Sequence, residues 1–360
     1  MENMVNNLTK AYANKRVFIT GHTGFKGAWL VGMLSKFNSK IAGYSLPHSS
    51  DQLLYPLIRN QLYEDYVGDI IDGDKLKNAI LDFKPDIIFH LAAQALVIDS
   101  YKQPKLTYET NVIGTMNLLE ACNALNSECA VICITTDKVY ENKETKRAFK
   151  ETDRLGGYDI YSSSKAACEL LVDSYRNSFF NLDKYHEHGV LISTVRAGNV
   201  IGGGDWNKNR LIPDLIKAAL QKETTIIRSP HSVRPWQHVL DCLFGYLLLG
   251  ERMLSKDHKI PLAINFAPDS ENIVTVEQLV NTISNFWEVI KIKVEVPDTI
   301  YHEAKFLHLD NSLAKKELQW TPKLDLENTL KWTINWYKDF FELSENIMDN
   351  QIEKYLIKQK

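Results

Sequence analysis

The stretch RVFITGHTGFKG, residues 16–27 of a chain of 360 residues, gives the clearest indication of the fold. Its first five residues form an apolar run typical of a buried β-strand, and an apolar helical pattern begins at about Phe25. Gly21, Gly24 and Gly27 lie between them with the spacing Gly-x-x-Gly-x-x-Gly. Glycine lets a backbone approach a pyrophosphate, and a helix N-terminus supplies N–H donors and positive potential. The stretch therefore predicts a strand, a dinucleotide-binding turn and a helix.

Strand-like and helix-like segments alternate from this turn to about residue 195. Further strands are predicted at 40–45, 66–70, 86–91, 130–135 and 190–195. This alternation implies βαβ units, so we predict an α/β fold with a Rossmann-type doubly wound parallel sheet. We assign residues 1–200 to the dinucleotide-binding domain, with about 236–266 packing back onto it. Residues 201–360 would form a smaller C-terminal substrate-binding domain, and its polar end from about Asn346 is expected to fray.

The second predicted strand indicates which dinucleotide binds. In the NAD-specific pattern an acidic residue ends this strand and holds the ribose hydroxyls, whereas this chain has Ser45. Because no arginine stands beside Ser45 to favour a 2′-phosphate, we expect NAD rather than NADP, bound more weakly than a carboxylate would allow. His22 would crowd or line the pocket. Asp69, which ends the third strand together with Ile70, would accept from the adenine amino group.

Two short motifs carry the chemistry. Tyr161 and Lys165 are four residues apart and share one face of a predicted helix. An ammonium beside a phenol lowers the phenol's pKa from about 10 towards neutrality, and the phenolate accepts a proton from a sugar hydroxyl. Thr136-Asp137-Lys138 ends the strand before that helix. A Tyr-x-x-x-Lys pair is a weak signal by itself, because both residues are common. The Thr-Asp-Lys motif before it makes the pair informative.

Composition narrows the class of protein. A net charge of -3 provides no global basic field, so we expect neither nucleic acid nor membrane as a partner. The five cysteines are scattered, odd in number and free of any Cys-x-x-Cys pattern, which favours a reducing cytoplasm without disulfides. The ten histidines contain no His-Glu-x-x-His pattern, and we expect no metal.

The glycine turn, Asp69 and the two chemical motifs together resemble the extended short-chain dehydrogenase/reductase family, and the resemblance covers about residues 16–331. Within it the chain is similar to the nucleotide-sugar 4,6-dehydratases, and among these to the branch that acts on CDP-glucose. The stretches that carry this similarity are RAGNVIGGGDW (196–206), RLIPD (210–214) and RPWQHVLD (234–241). Lys138 is typical of the CDP-glucose branch, whereas most other dehydratases of this class have glutamate at the same position. The chain departs from the branch at Ala95 and Ile98, where proline and arginine are expected.

The resemblance implies NAD that is reduced and reoxidised within one turnover. Tyr161 would deprotonate the sugar O4, Lys165 would hold the ribose and keep Tyr161 anionic, and Thr136 would orient O4. Asp137 would be the acid at C6, and Lys138 either a base at C5 or a charge that stabilises the enolate. The implied cofactor-binding residues are Gly21, His22, Thr23, Gly24, Phe25, Lys26, Gly27, Ser45, Asp69, Ile70, Leu91, Ala92, Ala93, Asn111, Thr135, Tyr161 and Lys165. The implied substrate-binding residues are Gln94, Asn199, Arg210, Arg234 and His238.

The resemblance also implies an assembly and a pathway. The helical segments at 111–125 and 161–180 would form the four-helix interface of a homodimer or homotetramer, although packing on the sheet would equally explain their apolar faces. The pathway would be the synthesis of deoxysugars for O-antigen or another lipopolysaccharide component. Two other functions remain open, namely an epimerase or reductase on the same fold and a non-catalytic dinucleotide sensor.

Overall fold

The computed structural model describes residues 4–359 except 228, 270–272, 296–305 and 344–346. The strands in this part of the chain are β1 (Arg16–Thr20), β2 (Lys40–Ser45), β3 (Glu64–Val67), β4 (Ile87–His90), β5 (Cys129–Ile134), β6 (Val190–Ala197), β7 (Asn199–Ile201), β8 (Thr224–Ile227), β9 (Val233–His238), β10 (Ala263–Phe266), β11 (Ile273–Thr275) and β12 (Lys291–Val294).

The α-helices of the same part are α1 (Met4–Tyr12), α2 (Phe25–Ser35), α3 (Tyr55–Ile58), α4 (Gly73–Phe83), α5 (Val97–Lys102), α6 (Pro104–Tyr108), α7 (Gly114–Asn123), α8 (Ile160–Ser178), α9 (Tyr185–His188), α10 (Leu211–Leu220), α11 (Val239–Leu254), α12 (Val276–Phe286), α13 (Ser312–Leu318), α14 (Leu326–Leu343) and α15 (Ile347–Lys358). A π-helical turn at Glu109–Ile113 joins α6 to α7. None of the helices described has the length and apolar character needed to cross a membrane.

Seven parallel strands form the main sheet in the order β10-β6-β5-β4-β1-β2-β3. The predicted Rossmann-type α/β fold is confirmed. Successive residues of β1 point to opposite faces, so Val17 and Ile19 pack with α2 and α11 whereas Phe18 packs with α4 and α7. The strand order reverses between β1 and β4, and a crevice outside the carboxyl ends of the strands opens at this point.

The second half of the chain forms two small sheets. One consists of β7, β9 and β11, and the other of β8 and β12. The chain then returns to the main sheet, because β10 pairs with β6 from Ala263 opposite Thr194 to Phe266 opposite Ala197. Strand ends of the main sheet and segments of the second half therefore face each other across the crevice.

The expectation that the C-terminal end frays is wrong for the residues described there, although Asn346 itself lies outside them. Residues Ile347–Lys358 form α15, which packs against α2. Its buried side chains include Met348 and Ile352. The Tyr355 hydroxyl donates to Asp241 Oδ1 at 2.7 Å. Although this segment is polar overall, it forms a helix with one apolar face. Burial of that face holds the helix against the rest of the protein.

Candidate active site

A cleft of about 1090 Å³ lies at the carboxyl ends of the parallel strands. The glycine turn, the ends of β2, β4 and β5 and the first turns of α8 line one side. The segment after β6, the start of α10 and residues near β8 and β9 line the other. Its volume exceeds that of an ordinary small-molecule pocket, so the cleft has room for two ligands of nucleotide size.

The glycine turn brings three backbone segments into close contact. Gly21 has φ +74, and a Cβ added to it would lie 2.8 Å from the Ala92 backbone nitrogen. A Cβ on Gly27 would lie 2.2 Å from the Gly21 carbonyl oxygen. Both positions therefore require glycine. Gly24 caps α2 and lines the cleft, so the first N–H groups of α2 are available to a phosphate.

Other predicted cofactor residues continue this side of the cleft. The lining includes Thr23, Phe25, Lys26, Ser45, Asp69, Ile70, Leu91, Ala92, Ala93, Thr135, Tyr161 and Lys165. The Ser45 hydroxyl donates to the Leu46 carbonyl at 3.0 Å, and Asp69 Oδ1 accepts from the Ile71 backbone at 3.0 Å. A glycine-cradled helix N-terminus between a polar strand end and a Tyr–Lys pair fits an extended dinucleotide.

His22 does not take the predicted place in the pocket. Its ring is fully buried against β2, and a Cβ on Gly43 would lie 2.4 Å from it. His22 Nε2 lies 3.0 Å from Asp65 Oδ1, and this interaction lowers the pKa of Asp65. His22 is missing from the described residues that line the cleft. Its partner on β3 turns the side chain away from the cofactor side.

Thr136 connects the two predicted chemical motifs. Its Oγ1 donates to Asp137 Oδ1 at 2.9 Å and accepts from the Lys138 backbone at 3.4 Å. Thr136 also acts on the Tyr161 phenol, whose pKa it lowers. Asp137 lies close to the segment after β6, since a Cβ on Gly198 would approach its Oδ2 to 2.9 Å. The end of β5 and the start of α8 therefore bring together the phenol of Tyr161, the hydroxyl of Thr136 and the carboxyl group of Asp137.

Burial governs the proton affinities of this cluster. It raises the pKa of Tyr161 to about 12, although Thr136 and the positive charge of Arg210 act in the opposite direction. It also raises the pKa of Asp137, against the positive charge of Lys138. The Lys165 ammonium donates to the Ile134 carbonyl at 3.1 Å, and burial lowers its pKa. The expected lowering of the Tyr161 pKa by Lys165 is therefore wrong.

Three predicted substrate residues line the opposite side of the cleft, namely Asn199, Arg210 and Arg234. Arg210 forms an ion pair with Asp205 at 2.9 Å. Arg234 is buried, and its Nη1 donates to the Val233 carbonyl at 2.9 Å. Planar guanidinium groups at these places suit phosphate oxygens.

The sequence analysis missed several lining residues, among them Asp205 and, from the β8–β9 region, Thr225, Ile226, Ser229 and Ser232. Asp205 stands in the stretch RAGNVIGGGDW, so its position beside Arg210 could have been inferred. The β8–β9 residues carry no motif that signals a binding role.

Three other predicted binding residues have structural roles instead. Gln94 donates to Thr107 Oγ1 and accepts from the Leu96 backbone, so its side chain shapes its own loop. Asn111 joins that loop to α8 through the Gln94 backbone and Ser164. His238 accepts from the Leu240 backbone and caps α11, while burial lowers its pKa to about 3. Gln94, Asn111 and His238 are absent from the described residues that line the cleft.

Comparison with known proteins identifies the family. A family model described as GDP-mannose 4,6 dehydratase matches residues 18–333. The chain belongs to this family. A CDP-glucose 4,6-dehydratase from Salmonella typhimurium is 44% identical over 328 residues, which cover 91% of each protein. The resemblance to the nucleotide-sugar 4,6-dehydratases is thereby confirmed.

More distant members share the fold. A UDP-glucose 4-epimerase from Mycoplasma pneumoniae is 24% identical over 91% of this chain and 97% of its own length. Among solved structures, an epimerase from Methanothermobacter thermautotrophicus has a TM-score of 0.81 at 23% identity and covers 98% of both chains. A dTDP-glucose 4,6-dehydratase from Bacillus anthracis, in complex with NAD, has a TM-score of 0.72 at 23% identity, covering 90% of this chain and 96% of its own.

Proposed function

We propose that this family member converts CDP-D-glucose to CDP-4-dehydro-6-deoxy-D-glucose and water, with NAD recycled in every turnover. The observation that carries the proposal is the cluster at the end of β5, where Thr136 Oγ1 donates to Asp137 Oδ1 at 2.9 Å and Tyr161 lines the same cleft. Oxidation of an alcohol needs only a base such as Tyr161. Loss of water also needs an acid, and Asp137 is buried with a raised pKa, as an acid catalyst should be.

The glycine turn, Ser45, Asp69 and Lys165 would hold NAD in the cleft. NAD bound there would supply a reversible hydride acceptor for the transfer from C4 to C6 of the sugar. Tyr161 takes the proton of the C4 hydroxyl, and Thr136 orients that hydroxyl. Asp137 then gives a proton to the departing C6 hydroxyl. Arg210 and Arg234 would bind the diphosphate from the opposite side of the cleft.

Lys138 has two possible roles in this scheme. It lines the cleft, and its positive charge opposes the raised pKa of Asp137. As a base it would remove the C5 proton, and as a fixed charge it would stabilise the enolate. Exchange of the C5 hydrogen with heavy water separates these roles. A Lys138→Met variant that retains wild-type exchange would exclude the base.

Substrate choice is tested by incubating the protein and NAD with CDP-, dTDP-, UDP- and GDP-hexoses and measuring the mass of each product by mass spectrometry. We expect a product lighter by one water from CDP-glucose, without net NADH. The second candidate is a 4-epimerase, which the distant relatives bring into consideration. It predicts a product of unchanged mass. A Tyr161→Phe variant should lose turnover and retain CDP-sugar binding, which calorimetry measures.

The cofactor site predicts weak NAD binding. Ser45 offers a hydroxyl where a carboxylate would bond both ribose oxygens, and hydrogen bonds to charged groups are the stronger ones. Purified protein should therefore carry less than one NAD per chain. Full occupancy after extensive dialysis would contradict this.

We further propose a homodimer or homotetramer in the cytoplasm that supplies deoxysugars for O-antigen or a related polysaccharide. The exposed apolar side chains of α6, the π-helical turn and α8 support a helical interface, and they include Leu106, Tyr108, Ile113 and Leu170. Replacing Leu170 by Asp should shift the mass in solution towards the monomer. The five cysteines are free and buried, as suits a reducing compartment.

A further inference from the structure

His90, the last residue of β4, is a buried histidine that connects two other elements. Its Nδ1 lies 2.8 Å from Thr20 Oγ1 at the end of β1, and its Nε2 lies 3.0 Å from Thr115 Oγ1 on α7. Burial lowers the pKa of His90 to about 3, so the ring is neutral at physiological pH. In a neutral ring one nitrogen donates a hydrogen bond and the other accepts one.

The neighbouring hydrogen bonds fix which nitrogen of His90 donates. Thr115 Oγ1 lies 2.6 Å from the Asn111 carbonyl oxygen. Two oxygens at this distance need a proton between them, and only the Thr115 hydroxyl has one. Thr115 must then accept from His90 Nε2, so His90 Nδ1 accepts from the Thr20 hydroxyl. Thr20 Oγ1 in turn accepts from the Ala92 backbone N–H at 3.2 Å. The donors and acceptors therefore match along the whole chain from Ala92 to Asn111.

This chain closes on the loop that follows β4. The Asn111 side chain accepts from the Gln94 backbone N–H at 2.8 Å and donates to the Gln94 carbonyl at 3.1 Å. The loop is thus held at Ala92 through His90 and at Gln94 through Asn111, which makes a closed circuit. A Cβ on Gly21 would lie 2.8 Å from the Ala92 backbone nitrogen, so the first of these anchors lies where the loop contacts the glycine turn.

The circuit reaches the cofactor side of the cleft only through its loop. Ala92 lines the cleft, whereas Thr20, His90 and Thr115 are absent from the described residues that line it. These three residues are at most 3% exposed, so water cannot replace a hydrogen bond that one of them loses. A loop that is already held in one geometry loses less conformational entropy when a ligand binds, and its affinity for the ligand is higher.

We propose that His90 is a positioning residue that holds residues 92–94 against the glycine turn and thereby sets the affinity for NAD. The inference rests on the cofactor site of the proposed function and not on the sugar nucleotide that is converted. It predicts a change in the Kd for NAD rather than in the chemical steps, because Thr136, Asp137 and Tyr161 lie outside the circuit.

The test breaks the circuit at Thr115, on the side away from the cleft. Thr115→Val removes the hydroxyl that links His90 to Asn111 and keeps the shape of the side chain. We expect the Kd for NAD, measured by calorimetry without sugar, to rise about tenfold. The kcat at saturating NAD should stay within about twofold of the wild type. Thr115→Ser keeps the hydroxyl and should bind NAD like the wild type, whereas His90→Phe breaks both links and should weaken binding at least as much as Thr115→Val.

Thr333→Val is the matched control for stability. Thr333 is fully buried and donates to the carbonyl four residues earlier, that of Thr329, at 2.8 Å, as Thr115 does to Asn111. Both valine variants should lose similar stability in urea denaturation, yet only Thr115→Val should weaken NAD binding. An unchanged Kd in Thr115→Val, or an equal rise in Thr333→Val, would overturn the positioning role.

The Kd comparison is separate from the test of the proposed function, because it contains no sugar. A wild-type protein that binds NAD but does not dehydrate CDP-glucose would overturn the proposed reaction, and the Kd values of the variants would still decide the role of His90. A wild-type protein that binds no NAD would overturn the cofactor site and this inference together.

Discussion

Asp137 and Glu169 are two buried carboxylates near the ends of β5 and β6, and they differ in their partners. Glu169 accepts hydrogen bonds from Thr135, Thr194 and two nitrogens of Arg196. Within the described part of the chain, Asp137 accepts only from Thr136. The pKa of Glu169 is lowered despite its burial, with Arg196 as the main cause, whereas burial raises the pKa of Asp137.

This difference shows that pairing rather than burial separates the structural acid from the reactive one. Two neighbouring threonines bind the two acids separately. The Thr135 hydroxyl donates to Glu169, and the Thr136 hydroxyl donates to Asp137. Arg196 extends the Glu169 group by donating to the Tyr140 hydroxyl at 2.7 Å. The cluster of Glu169 and Arg196, with its many hydrogen bonds, thus supports the end of the strand. Asp137 follows that strand end and has fewer hydrogen-bond partners.

The largest expected effect comes from removing the reactive acid. Asp137→Asn should lower kcat by about 10³-fold, since general acid catalysis contributes on this scale. The free energy of unfolding at neutral pH should stay the same or increase, because the variant removes a carboxylate that burial disfavours. Urea denaturation and single-turnover rates check both parts. A loss of stability with intact turnover would reverse the roles given to the two acids.

Removing the structural acid should act on stability. Glu169→Ala leaves Arg196 buried without its counter-ion, and we expect a loss of about 3–5 kcal/mol in the free energy of unfolding. The control is Glu128→Ala, because both side chains of its ion pair with Lys256 are more than half exposed, and this pair should contribute less than about 1 kcal/mol. Equal effects of the two variants in urea denaturation would contradict the account.

The pH dependence of stability should have opposite signs for the two acids. Glu169 has a folded pKa below its ordinary 4.5, so it stabilises the fold above that pH and loses this contribution as pH falls through the folded value. Asp137 has a folded pKa above 3.8, so its contribution is present below that pH and is lost as pH rises through the folded value.

Urea denaturation of the wild type, Asp137→Asn and Glu169→Gln across this pH range measures the two contributions as differences from the wild type. Relative to the wild type, Asp137→Asn should gain stability as pH rises, and Glu169→Gln should lose it. Parallel curves for the two variants would mean that the carboxylates have similar environments.

The smallest expected effect lies outside both groups, at the C-terminal helix. Tyr355→Phe removes the hydrogen bond to Asp241 and should cost about 1–2 kcal/mol in the free energy of unfolding. Tyr63→Phe is the matched control, because Tyr63 is exposed. Catalytic rates should not change in either variant. A larger loss of activity than of stability would link α15 to the active site.

The sequence predicted those parts of the fold and site that depend on local spacing. The glycine turn, the alternating strands and helices, and the meeting of Thr136 with Tyr161 all follow from short motifs at strand and helix ends. His22, Gln94 and His238 were misplaced because the direction of each side chain depends on a partner, and neither Asp65 nor Thr107 is marked by any motif. The Tyr161 pKa was misjudged because burial, a property of the whole fold, outweighs the nearby lysine.

In the proposed reaction, one site oxidises C4, eliminates water and returns the same hydrogen to C6. This is tested most directly by incubating the protein and NAD with CDP-glucose that carries deuterium at C4. We expect a product lighter by one water that retains the deuterium, now at C6, with no labelled NADH in solution. A product of unchanged mass, or a dehydrated product that has lost its deuterium, would contradict it.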